Sequence, residues 1–174
     1  LNPDHRGESK GPFPATRKTD KPMLIRLLVF LLLNFLALGI GGFFTGSGVS
    51  SDWYQELTKA PWTPPGWVFG FAWTSIMLCF SFYMAILWGK ASEKKQLVSL
   101  YLLQWLLNVL WNPVFFHFRQ AGAAMLDIAL LTILVAWFLW SYRAETGWKS
   151  VLILPYLIWL CIASSLNAYI VLNN

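Results

Sequence analysis

Five stretches of this chain run for 18 to 22 residues almost without charge: Leu27–Phe44, Trp67–Trp88, Leu97–Phe118, Ala121–Trp140 and Val151–Leu172. A helix of about 20 apolar residues crosses a hydrocarbon layer about 30 Å thick. Within lipid a lone segment satisfies its backbone hydrogen bonds only as a helix. The expected fold is therefore an all-α membrane protein, a five-transmembrane-helix bundle. Only 12% of the 174 residues are charged, about half the share of a soluble domain. That balance excludes an ordinary soluble enzyme, a nucleic-acid-binding domain and a disordered regulator.

The remaining segments are unequal. Leu1–Pro22 is polar, proline-containing and aperiodic, so it is expected to be disordered. The chain does not open on methionine and Met23 directly precedes the first window, which is compatible with an appended, non-native tail. A single membrane domain is expected over residues 23–174, its first window serving as an uncleaved signal anchor. Lysine and arginine are divided sharply: the N-terminal segment and the connections 89–96 and 141–150 hold eleven of the thirteen, the opposite side only Lys59 and Arg119. The positive-inside rule then places the N-terminus in the cytoplasm and the C-terminus outside.

Polar residues inside the windows follow helical spacing. Gln104, Asn108, Trp111, Asn112 and Phe115 share one face of the third window. Trp159, Ala163, Leu166 and Asn167 share one face of the fifth, and Trp73, Met77, Phe80 and Met84 one face of the second. Amides facing lipid are costly, so these faces should look into the bundle. Spacing alone favours plain interhelical packing. The alternative is a mostly apolar cavity with a few polar anchors, suited to a large flat ligand.

Asp127 is the one acid in any window and is expected to hydrogen-bond a neighbouring helix; a proton relay is the sharper alternative. His117 reads as an interfacial residue, and Cys79 and Cys161 as buried small hydrophobes. No ligand set for a metal or a fixed haem is apparent, so no cofactor is expected. Gly42-x-x-x-Gly46 permits close helix approach, yet it falls at the expected end of its helix, where loop-forming glycine explains it equally well.

The connection 45–66 is the most specific segment. From Trp53 to Trp67 it carries three prolines and three tryptophans, which restrict the backbone and supply apolar anchors. It reads as a lid over the bundle mouth, with Trp53 and Trp62 among the ligand-contacting residues.

The pattern W-Y-x-x-L-x-K-x-x-W-x-P-P-x-W from Trp53, extended to Trp73, resembles the tryptophan-rich sensory protein and translocator protein family. The likeness continues through Leu107, Asn108, Trp111, Pro113, Phe115 and Phe116, through Asp127, and through Pro155, Tyr156, Trp159, Ala163, Leu166 and Asn167. The resemblance implies a five-helix bundle that often forms a homodimer and binds porphyrins, sterols and synthetic ligands beneath the first loop. Carried onto this chain, the pocket residues are Trp73, Asn108, Trp111, Phe116, Trp159, Ala163 and Leu166, and the face argument adds Met77. Ala123 stands where mammalian members carry tryptophan, so their drug-binding preference is not carried over, and the ending Tyr169–Asn174 lacks the aromatic and basic residues of the animal sterol segment, so high-affinity cholesterol binding is not implied; the arginine-poor C-terminus and short chain fit a bacterial member.

The expected function is a membrane receptor or carrier for tetrapyrroles such as protoporphyrin IX, linked to stress or photosensing regulation. Porphyrin carboxylates are expected to reach Lys59 or Arg119. The alternative is a light- and oxygen-dependent porphyrin-degrading enzyme that uses Trp73 and Trp159. A proton-coupled transporter rests on Asp127 alone, and a structural scaffold is the blandest reading.

Overall fold

In the computed structural model, which describes residues 21–174, the windows are helices that all reach past their expected limits or meet them within a few residues. The elements are α1 (Lys21–Val49), α2 (Asp52–Glu56), α3 (Gly66–Lys90), α4 (Lys94–Asn112), α5 (Ala121–Ser141), α6 (Arg143–Thr146) and α7 (Leu154–Asn173). Five of these are long and apolar enough to cross a membrane, counting α6 and α7 as one continuous span. Lys21 and Pro22, placed by sequence in the polar tail, begin α1, where proline lacks no needed N–H. The rest of that tail lies outside the described residues.

Packing closes the long helices into a ring in the order α1, α3, α7, α5, α4 and back to α1. The half of the bundle near Lys90 and Lys94 is filled. There Phe80, Tyr83, Phe138 and Tyr156 are buried, with Phe80 and Tyr156 edge to face at 5.3 Å. A buried chain of polar groups crosses the same layer: Tyr101 Oη donates to Asn34 Oδ1 (2.8 Å), Asn34 Nδ2 donates to Ser81 Oγ (2.8 Å), and Ser81 Oγ donates to the Met77 carbonyl (2.6 Å). It ties α1, α3 and α4 together where lipid offers no competing water. Tyr101→Phe is expected to cost about 0.6–2 kcal/mol, read as a lowered unfolding midpoint in detergent with ligand affinity unchanged.

Two local devices shape the opposite half. Pro113 cannot donate a helical hydrogen bond, and Pro113–His117 widens into a π-helical turn closed by Phe118 N–H to the Pro113 carbonyl (2.9 Å). Such widened turns re-aim side chains; here Phe115 and Phe116 are both buried, stacking with Trp111 at 5.0 Å in the case of Phe115. The chain then reverses through Arg119 at φ +57°, capped by Gln120 N–H to the Val114 carbonyl (3.1 Å).

The second device is α1 itself, which does not end at Phe44 but continues to Val49. Gly42 and Gly46 are therefore helical, not loop glycines, and both face open space. The close approach is made by their neighbours. A Cβ on Gly41 would lie 2.6 Å from Asn112 Nδ2, and one on Gly48 2.4 Å from Phe116 Cβ.

Other expectations are corrected. Cys161 is exposed and Cys79 half-buried, as an apolar exterior in lipid allows. Asp127 makes no interhelical hydrogen bond: its Oδ2 is buried without a partner among the described residues. The residue sits at the margin of α5, between exposed Leu126 and buried Ile128.

Candidate functional site

The first connection, expected to act as a lid, is shorter than expected, because residues 45–49 belong to α1 and Gly66 opens α3. Between them, Ser51 caps α2 by accepting from the Tyr54 N–H (3.3 Å), and the proline-rich remainder runs over the bundle mouth. Its anchors are specific. Thr58 N–H donates to Asn174 Oδ1 (2.8 Å), and Asn174 Nδ2 donates back to the Thr58 carbonyl (3.2 Å). Trp62 Nε1 donates to Ser165 Oγ (3.2 Å) while its ring meets Tyr169 at 5.4 Å. Trp53 and Tyr54 pack on Phe115 at 5.5 and 6.3 Å. The segment is thus fastened to the end of α7 and to the π turn. Burial pushes the Tyr54 phenol above its ordinary value, so it stays protonated.

Beneath it lies a cavity of about 330 Å³, within the range of small-molecule sites. Its walls are mainly aromatic and small: Phe69 and Trp73 from α3, Trp111 from α4, Phe115 and Phe116 from the π turn, and Ala163 and Leu166 from α7. α1 contributes Ala37, Gly41, Gly42 and Thr45. The polar groups differ in how far they are already engaged. Asn167 accepts from Trp111 Nε1 (3.3 Å) and donates to the Ala121 carbonyl (2.8 Å), so it braces α4, α5 and α7. Asn112 accepts from Thr45 Oγ1 (2.7 Å). Asn108 is 8% exposed, lines the cavity, and makes no hydrogen bond among the described residues. Its carboxamide keeps a donor and an acceptor unused at the cavity wall. Lys59 lines the mouth, its Nζ donating to the Gln55 and Leu57 carbonyls (3.2 and 3.4 Å) and lying 4.7 Å above the Tyr54 ring.

Of the sequence-predicted residues, the structure gathers Trp73, Asn108, Trp111, Phe116, Ala163 and Leu166 around this cavity. Four lie elsewhere. Met77 is buried in the packed half, one turn deeper than Trp73. Trp159 is not part of the cavity wall but packs edge to face on Phe69, ring centroids 5.3 Å apart, and its Nε1 is buried without a partner among the described residues. Trp53 backs Phe115, and Trp62 is 55% exposed on the outside of the bundle. Arg119 does not reach the cavity; with Ser47, Ser51 and His117 it edges a separate, smaller pocket beyond Phe116. Sequence reasoning missed the α1 wall and Phe69. A signal for the former exists: Ala37, Gly41, Thr45 and Gly48 are small residues on one helical face.

Comparison with known proteins agrees with this architecture. Residues 29–172 match the TspO/MBR family. The chain is 36% identical over 138 residues to the tryptophan-rich sensory protein of Cereibacter sphaeroides, covering 79% of this chain and 87% of that protein. It is 36% identical over 154 residues to the tryptophan-rich protein TspO of Archaeoglobus fulgidus, covering 87% and 99%. The translocator protein of Bos taurus is 31% identical over 150 residues, covering 84% and 88%. With five apolar helices, a tryptophan-rich first connection and a family match over nearly the whole described chain, this protein is a multi-pass membrane protein that belongs to the TspO/MBR family.

Proposed function

We propose that the protein is a membrane receptor or carrier that binds tetrapyrroles such as protoporphyrin IX, and other large apolar ligands, in the cavity under the lid. The observation that carries this reading is Asn108, a buried residue whose amide has no hydrogen-bond partner among the described residues, on the wall of a cavity rich in aromatic and small side chains. A flat conjugated ring would pack on Trp73 and Trp111 while Asn108 fixes its orientation. Lys59 at the mouth is placed to meet a carboxylate arm. A sensory role in stress or light response, in a bacterial cell membrane with a cytoplasmic N-terminus and as a homodimer, is part of the same proposal. The name of the relative from Cereibacter sphaeroides supports the sensory role, and the lysine and arginine asymmetry supports the orientation.

The test is quenching of tryptophan fluorescence by protoporphyrin IX in the dark. With eleven tryptophans, the dissociation constant rather than the amplitude must be compared. Wild type is expected to saturate. Trp73→Phe and Asn108→Leu are each expected to weaken binding about tenfold, the loss of roughly one buried contact or hydrogen bond. Trp159→Phe is expected to change it less, since Trp159 is outside the cavity wall and packs on Phe69, which is part of it. Linear quenching that no substitution alters would mean that the porphyrin only partitions into micelles, and would sink the proposal.

A further inference from the structure

The cavity is fastened shut above but not at its side. Four of its lining residues, Gly42 and Val49 on α1 and Gly66 and Gly70 on α3, are also exposed. Cavity wall and outer surface therefore coincide between these two helices. A Cβ placed on Gly42, Gly66 or Gly70 would meet nothing within 4 Å, in contrast to Gly41 and Gly48, whose missing side chains let α4 and the π turn approach. The surface around the gap is apolar: Phe43, Trp67 and Phe71 are 77%, 73% and 67% exposed. Such residues suit hydrocarbon and its boundary rather than water. Gly42 lies seven residues before the end of α1 and Gly70 four after the start of α3. At about 1.5 Å per residue that is roughly 6–10 Å below the helix ends, within the lipid layer.

We propose that this gap is a lateral entrance, through which a flat apolar ligand dissolved in the bilayer reaches Asn108 directly, with Gly42 and Gly70 keeping it open. The proposal rests on the ligand-binding reading given above and adds the route. A ligand arriving from water would have to lift the lid, breaking the Thr58–Asn174 pair and the Trp62–Ser165 hydrogen bond. One arriving from lipid breaks neither, and its partitioning into the membrane raises its concentration at the gap. Glycine is needed on both sides because any side chain there would project into the opening.

The experiment is stopped-flow tryptophan quenching in the dark, with protoporphyrin IX delivered from donor vesicles to the full chain in proteoliposomes. The variant Gly42→Leu/Gly70→Leu is expected to slow association about tenfold, and to slow dissociation by a similar factor, so that the dissociation constant moves less than about twofold. Gly122→Leu, on α5, exposed, with open space at its Cβ and outside the cavity wall, is expected to match wild type. Gly70→Val alone gives a milder slowing in the same direction and serves if the double variant folds poorly. Wild-type rates in both entrance variants would overturn the proposal, as would weaker binding through faster dissociation alone, which would make these glycines mere wall contacts. Absence of saturable binding in wild type is a different result: it removes the ligand-binding reading, and the entrance with it.

Discussion

Gly48→Val is expected to destabilise the protein by about 3 kcal/mol, at the upper end of what overpacking a close interface costs, while Gly46→Ala leaves stability unchanged or slightly raised. The two positions lie half a turn apart on the same helix and differ only in what they face. At Gly48 a Cβ would stand 2.4 Å from Phe116 Cβ. A Cβ cannot rotate away, so relief requires moving the backbone of α1 or of the π turn. Displacing Phe116 also disturbs Phe115, at 4.9 Å, and through it the stack on Trp111 and the seat of Trp53. At Gly41 the obstacle is instead the end of a flexible side chain, Asn112 Nδ2 at 2.6 Å, so Gly41→Ala should cost less. At Gly46 nothing lies within 4 Å, and alanine is favoured over glycine in a helix by up to about 1 kcal/mol. Thermal unfolding in detergent, followed by near-ultraviolet circular dichroism, measures all three. A Gly48→Val midpoint equal to wild type would show that α1 and the π turn are not tightly packed.

The same contrast shows how far a sequence of this kind can be read. Five helices follow from charge-free length, because lipid imposes one solution on the backbone. The inward faces of α4 and α7 are legible because amides repeat at helical spacing and have nowhere else to go. Depth was not legible. Trp73 and Met77 share a face, yet one borders the cavity and the other the packed half, since periodicity reports direction and not level. Trp159 shares a face with Ala163 and Leu166, but it packs on Phe69 of α3 rather than lining the cavity, an interhelical contact that no local pattern encodes. The wall made by α1 was hidden for another reason: its face toward α4 is built from missing side chains, and a run of small and large apolar residues shows no amphipathic contrast. Asp127 illustrates the limit on chemistry. Its window position suggested a partner, whereas the burial of individual atoms decides whether one is present.

Ala163→Phe is expected to abolish porphyrin binding, raising the dissociation constant at least about 100-fold, equivalent to roughly 2.7 kcal/mol. Ala163 borders the cavity from α7, opposite Gly41 and Thr45 of α1. A benzyl side chain at that point would project from the cavity wall into the space where a flat ring is expected to pack beside Asn108. The new ring lies against aromatic neighbours in an existing void, so the bundle accepts it without the backbone movement that Gly48→Val demands. Loss of binding with an unchanged unfolding midpoint is therefore the expected signature. Ile162→Phe, one residue earlier and exposed on the outside of α7, is expected to bind as wild type does. This pair separates occupancy of the cavity from a general effect of added apolar surface, which Asn108→Leu cannot do because it removes a polar contact as well. If Ala163→Phe bound porphyrin with wild-type affinity, the ligand would have to sit outside the chamber, on the lipid-facing aromatics, and Asn108 would be left as an unpaired amide without a purpose in binding.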